Sequence, residues 1–180
     1  MQQSVYADLI SKNNSNISEI IEKRLEEEQN LYVKIYCYRL LFQLPAQNTI
    51  IPEVKEDIKE NSKDLKIAIL NYIGRIHDAE KNEIVYAATH DKDWEVKAVA
   101  ARLLGSIHSE KSLELLEPML DDLQWWVRIN AAQSLSQQGQ NGIAILESQS
   151  PERSKFAYET AVKVLRQSEM YERRRLRIKE

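Results

Sequence analysis

The chain is poor in residues that make tight turns. Among 180 residues there are four Gly and four Pro. That scarcity excludes a fold of many short strands joined by close hairpins and favours long helices with brief connections. There is one cysteine, Cys37, which excludes a disulfide framework. It sits in the apolar run between Ile35 and Leu41, where a small buried hydrophobe is expected rather than a nucleophile. Its use fits a reducing, cytoplasmic setting. No stretch approaches the roughly 20 apolar residues that span a bilayer. Residues 1–12 lack the basic-then-apolar order of a signal peptide. Charge of one sign is also missing. The 25 Lys and Arg face 28 Asp and Glu, for a net charge of −3, a balance that argues against tight nucleic-acid binding. There is no Gly-rich phosphate loop and no Gly-x-Ser-x-Gly nucleophile elbow. Catalytic residues, cofactors and metal ions are therefore not expected.

What is present is a repeat. The stretch from Trp94 through Val96, Lys97, Ala100 and Ala101 to Leu104 returns as Trp125, Val127, Arg128, Ala131, Ala132 and Leu135, an offset of 31 residues (127 − 96). Stepping back by the same offset places Leu65, Lys66 and Ile73 on the pattern, and a further step of 32 places Val33, Lys34 and Leu41. Each copy has an apolar residue, then a cation, then apolar positions four, five and eight residues beyond the first. That spacing is one buried face of a helix. A partner helix precedes each copy. Ile51, Val54, Ile58 and Leu65 share their spacing with Leu113, Leu116, Leu120 and Val127. The third copy is weaker, with Ile84, Val85 and Ala88, and residues 17–25 supply the first. A fifth pair runs from Ile143–Leu146 through Phe156 and Ala157 to Val164 and Leu165. It lacks the cation and reads as a terminal cap. One repeat domain is expected, with repeats at about 15–45, 48–77, 79–108, 110–139 and 141–168 and a basic tail at 171–180.

The segments Asp91–Lys97 and Asp121–Arg128, with the pattern Asp-x-x-Trp-x-Val-Lys/Arg-x-x-Ala-Ala-x-x-Leu, resemble the HEAT-like repeat family, including its phycobilin-lyase-type variant. The resemblance covers about residues 30–165. It implies an all-α, right-handed α-α superhelix of about five helix pairs. The Trp-Trp-Val-Arg-x-Asn-Ala-Ala form is also similar to bacterial HEAT proteins that carry an N-terminal membrane anchor, which makes the cytosolic part of such a protein a second expectation. In function the resemblance implies a scaffold or adaptor. Its alternatives are an enzyme or subunit of the bilin-lyase type and, further off, a nucleic-acid binder. The repeated cations Lys34, Lys66, Lys97 and Arg128 are implied to pair with an Asp near an inter-helix turn, with Asp91 or Asp93 and Asp121 or Asp122 as partners.

A solenoid of this type exposes one face of the second helix of each repeat. Removing the buried positions leaves a stripe at i, i+4, i+7 and i+11. It contains Tyr32, Tyr36, Arg39 and Gln43; Asp64, Ala68, Asn71 and Arg75; Glu95, Val99, Arg102 and Ser106; and Trp126, Asn130, Gln133 and Gln137. Tyr, Trp and Arg are the types enriched at binding hot spots. The expected partner groove is therefore Tyr32, Tyr36, Arg39, Arg75, Arg102, Trp126, Asn130 and Gln133, taking a protein helix or extended peptide. Trp125 is expected to pack over its turn. His77, His108 and Gly139 recur just past second helices, where a left-handed conformation is expected. The tail cations Arg173, Arg174, Arg175, Arg177 and Lys179 would give weak attraction to an anionic membrane surface.

Overall fold

The computed structural model describes residues 17–45 and 47–177, with side chains as far as Gln167. All regular structure among these residues is helical. Helix α1 covers 17–27. It is followed by α2 (Leu31–Gln43), α3 (Glu53–Asp57), α4 (Lys63–Ile73), α5 (Lys81–Ala88) and α6 (Trp94–Leu104). Then come α7 (Glu110–Met119), α8 (Trp125–Gln137), α9 (Gly139–Glu147) and α10 (Lys155–Arg177). The chain divides into two compact units, Met1–Lys81 and Asn82–Glu180, and each is described by itself. The division falls at the repeat whose first helix has the weakest apolar pattern. Among the described residues, no helix is long and apolar enough to cross a membrane.

In the N-terminal unit α1 pairs in sequence with α2, and α3 with α4; α2 packs along α4. The repeat positions form its core: Cys37, Tyr38 and Leu41 from α2, and Leu65, Ile69, Leu70 and Ile73 from α4, are all buried. Local chemistry starts these helices. Asn30 Oδ1 accepts from Tyr32 N at 3.0 Å and from Val33 N at 3.4 Å, capping α2. Ser62 Oγ accepts from Leu65 N and caps α4. Such caps satisfy amides that the first turn leaves without partners.

The core of this unit is partly polar. Asp57 is buried and takes Lys34 Nζ at 2.5 Å and Tyr38 Oη at 2.8 Å. Burial, together with the negative charge of Asp57, pushes the Tyr38 phenol far above its ordinary pKa, so it stays a donor. Beside it, the Tyr72 hydroxyl donates to Gln47 Oε1 at 2.9 Å, and Gln47 Nε2 donates to Glu22 Oε1 at 2.7 Å. The Tyr38 and Tyr72 rings lie 5.8 Å apart.

The C-terminal unit packs differently. Here α8 lies against α6, α7, α9 and α10. The positions held by Ile69 and Leu70 in α4 are Ala100 and Ala101 in α6, and Ala131 and Ala132 in α8, all four without exposed surface. Small side chains let the backbones approach. A Cβ on Gly105 would come within 2.5 Å of Gln137 Oε1 and 2.9 Å of Ser134 Oγ. A Cβ on Gly142 would come within 2.0 Å of the Leu135 carbonyl oxygen. Gly139 turns α8 directly into α9 at φ 69°, a conformation in which a β-carbon is strained.

Three details differ from what the sequence leads one to expect. Helix α10 continues to Arg177, so the backbone at the start of the basic tail is helical; the side chains of Arg173, Arg174, Arg175, Arg177 and Lys179 lie outside the described residues. His77 and His108 are not left-handed: among the described residues a positive φ occurs at Gly139 alone. The helices before them end in Gly74 and Gly105 at ordinary right-handed angles, so the chain turns there without strain. Finally, Phe156 is not a core residue. The buried stripe of α10 is Ala157, Thr160, Ala161 and Val164, whose helical spacing leaves Phe156 one position off the face.

Candidate interaction faces

In the N-terminal unit the expected stripe of α2 is open. Tyr32, Tyr36, Arg39 and Gln43 are all exposed, Tyr32 by 84%. An aromatic ring at that exposure has no packing role in the unit. On the neighbouring α4 Asp64 is exposed, and so is Arg75 just past its end. Arg75 is held in place: its Nη1 donates to the Phe42 carbonyl and its guanidinium lies 5.3 Å from the Phe42 ring centroid. Ala68 is a correction. It is buried between helices rather than on the stripe, because α2 packs closely over that part of α4.

In the C-terminal unit the stripe of α6 and α8 is open at Arg102, Ser106, Trp126, Gln133 and Gln137, while Glu95 and Val99 are half-buried. Trp126 is 57% exposed. Its covering neighbour is Trp125, edge-on at 4.7 Å between centroids and 75° between planes. Trp125 is itself exposed rather than folded over its turn, and Lys163 Nζ of α10 sits 5.2 Å from its ring centroid.

Asn130 was expected in the groove and is committed elsewhere. It is half-buried and its Nδ2 donates to Ala98 O at 2.7 Å. Ser134 Oγ donates to Ala101 O at 2.7 Å, and Gln138 Nε2 to Leu104 O at 2.7 Å and Ile107 O at 3.1 Å. Residues 130, 134 and 138 are four apart and form a polar seam along the α6 backbone. These carbonyls use a second lone pair to accept. The signal in sequence was the placement of Asn, Ser and Gln on one face opposite an alanine-rich helix.

The cation ladder exists where it can be seen within each unit. Lys34 reaches Asp57, and Lys97 pairs with Asp122 Oδ2. Asp122 Oδ1 also accepts from Gln124 N at 2.8 Å, and Asp91 Oδ1 accepts from Asp93 N at 2.9 Å, so equivalent aspartates shape equivalent turns. Arg128 departs from the pattern. Its Nη1 donates to the carbonyls of Asp122 at 2.8 Å and Leu123 at 3.0 Å, and its guanidinium lies 4.7 Å from the Phe156 ring centroid. Two exposed apolar residues lie beside it: Leu123, 88% exposed, which the sequence reading does not single out, and Phe156, which that reading places in the terminal pair.

The histidines are dispersed. His108 Nε2 lies 3.2 Å from Gln137 O, while His77 and His90 are exposed on other turns. Among the described residues no group of three His, Cys, Asp or Glu is placed to hold a metal ion.

This helix-pair architecture agrees with comparison to known families. The family model described as HEAT repeats matches residues 51–136 and 82–168, together more than half of the chain. The chain belongs to the HEAT-repeat family. No curated protein matches it. A HEAT-repeat protein is a helical scaffold, and the faces just described are the surfaces this one presents.

Proposed function

We propose that this HEAT-repeat protein is a non-catalytic scaffold or adaptor, acting in the cytoplasm, that holds a protein or peptide partner on the exposed faces of its second helices. The observation that carries this reading is aromatic exposure at repeat positions. Tyr32, Tyr36 and Trp126 stay open to solvent on helices whose opposite faces are fully buried. Rings of this size are costly to leave in water and are the residue types that anchor partners. Their neighbours Arg39, Arg102 and Gln133 supply directional donors without bulk.

A non-catalytic role is supported by how the ionisable groups are used. Asp57, Asp122 and Glu28 are engaged in turns and helix packing, and Tyr38 is locked as a donor to Asp57. The test is capture of partners from the native cell with cross-linking. The double variants Tyr32→Ala/Tyr36→Ala and Arg102→Ala/Trp126→Ala should keep wild-type helicity and lose the partners the wild type retains. Unchanged capture by both variants rejects the assignment of these faces.

A further inference from the structure

The head of α8 lacks a negative charge that its surroundings call for. In the two rungs seen within the units, a cation on one repeat meets a carboxylate from the next, Lys34 with Asp57 and Lys97 with Asp122. One period beyond Asp122 the residue is Arg153, and it turns to Glu117 at 3.7 Å. Arg128 therefore ends the ladder with carbonyl acceptors and the Phe156 ring. Only 8% of Arg128 is exposed, and its Nε has no hydrogen-bond partner. A buried guanidinium donor left unsatisfied is costly, and a carboxylate is the acceptor that matches its planar fork.

Two further observations point the same way. Among α2, α4, α6 and α8, α8 alone has neither a side-chain cap nor an acidic residue in its first turn. Its own first turn therefore supplies no charge to offset its positive end; the nearest carboxylate, Asp122, accepts from Gln124 N and is shared with Lys97. Around the head of α8 the surface is apolar, and cationic on the side of α10. Leu123, Trp125, Trp126 and Phe156 are exposed. The described parts of α8 and α10 carry Arg128, Lys155, Lys163 and Arg166 against Glu159 alone, and Glu159 lies 3.9 Å from Lys155. This concentration of positive charge stands out in a chain whose net charge is −3.

We propose that this corner of the C-terminal unit docks an acidic peptide segment of a partner protein. An Asp or Glu of the segment completes the rung at Arg128 and the head of α8, and an adjacent apolar side chain lies against Leu123 or Trp126. Phe156 lies over the guanidinium with an exposed ring, and in this proposal the incoming carboxylate displaces that ring to reach the guanidinium. The inference rests on the scaffold reading and names the chemistry of the partner. A short peptide fits better than a polyanion because Asp121 and Glu117 flank the same turn, held by Ser154 and Arg153. Those acids repel an extended phosphate array or lipid surface but leave room for a single carboxylate.

The experiment pans a random-peptide display library on the full chain and titrates the best labelled peptide by fluorescence anisotropy. Enriched peptides should carry Asp or Glu beside Leu, Phe or Trp. Changing that acid to its amide, or the protein by the surface substitutions Lys163→Glu or Trp126→Ala, should each weaken binding about tenfold or more, the loss of one charge-assisted or buried anchor. Far-UV circular dichroism checks that both variants remain folded. Peptides that enrich without acids, or acidic ones bound equally by Lys163→Glu, overturn the inference while the scaffold reading stands. Tighter binding of single-stranded DNA or phosphatidylserine vesicles than of any peptide overturns it in favour of those ligands. If no peptide enriches, or those that do are insensitive to both Tyr36→Ala and Trp126→Ala, the scaffold reading itself falls.

Discussion

Leu70 in the N-terminal unit and Ala101 in the C-terminal unit occupy the same repeat position, and each is buried without exposed surface. The difference in size separates two ways of packing one repeat. Around Leu70 the space between helices is filled by large side chains, and the buried Tyr38 and Tyr72 need polar partners, which Asp57 and Gln47 supply. Around Ala101 there is little to fill. The backbones of α6 and α8 come close, and Asn130, Ser134 and Gln138 stitch one helix to the carbonyls of the other. The first unit depends on a buried charge network and the second on the absence of bulk.

The sharpest way to break this comparison is Asp57→Ala. It removes the acceptor of Lys34 and Tyr38 together and leaves a half-buried cation and a buried hydroxyl without partners, a loss of about 3 kcal/mol or more. All three Trp lie in the C-terminal unit. The variant should therefore lower the urea midpoint seen by circular dichroism more than that seen by Trp fluorescence. Equal shifts in both signals would show that the two packing schemes are not separable.

Gly142→Ala is the matching insult to the C-terminal unit. Its new methyl meets the Leu135 carbonyl, a backbone atom that cannot swing aside. Overpacking of this kind costs about 1–3 kcal/mol. Here the Trp fluorescence midpoint should fall, and a wild-type midpoint would mean that α9 shifts freely. Ser134→Ala removes one bond of the seam at no change in bulk and should cost about 1 kcal/mol. An effect as large as that of Gly142→Ala would indicate that the seam, not close approach, holds α6 to α8.

The smallest effect concerns acid. The N–H of Asn30 holds the Glu28 carboxylate below its ordinary pKa, helped by Arg24 and the N–H of Gln29 and opposed by burial. A depressed folded pKa adds stability above the unfolded value, about 4.3, and that stability is lost as pH falls through the folded value. Glu28→Gln should lower stability near neutral pH and flatten the acid limb of the circular dichroism denaturation curve. An acid limb identical to the wild type would show that Glu28 keeps an ordinary pKa.

Much of this was readable beforehand because burial follows helical period. The positions four, five and eight beyond Leu65, Val96 and Val127 are all without appreciable exposure, as one buried face per second helix requires. The exposed Tyr32, Tyr36 and Trp126 followed from the same periodicity. Asn130 did not, since an amide on a helix flank looks identical whether it meets solvent or a neighbouring backbone. The exposure of Leu123 and Phe156 was not legible for the converse reason. An apolar residue at a turn or a helix start is normally packed, and nothing local shows that its neighbour is a guanidinium rather than a core.

The sequence by itself determined the repeat: its near-31-residue period, which residues face inward, and which cation recurs. Those are properties of one helix at a time, set by spacing along the chain. Only the tertiary structure decided where each polar group found its partner, and so where one did not. Whether Arg128 meets an Asp as Lys97 does depends on which residue the next repeat brings to that place, and it brings Arg153. Pairing between repeats is a matter of distance in space, and here the residue brought to that place is a second cation, which turns to Glu117 and leaves Arg128 to backbone carbonyls.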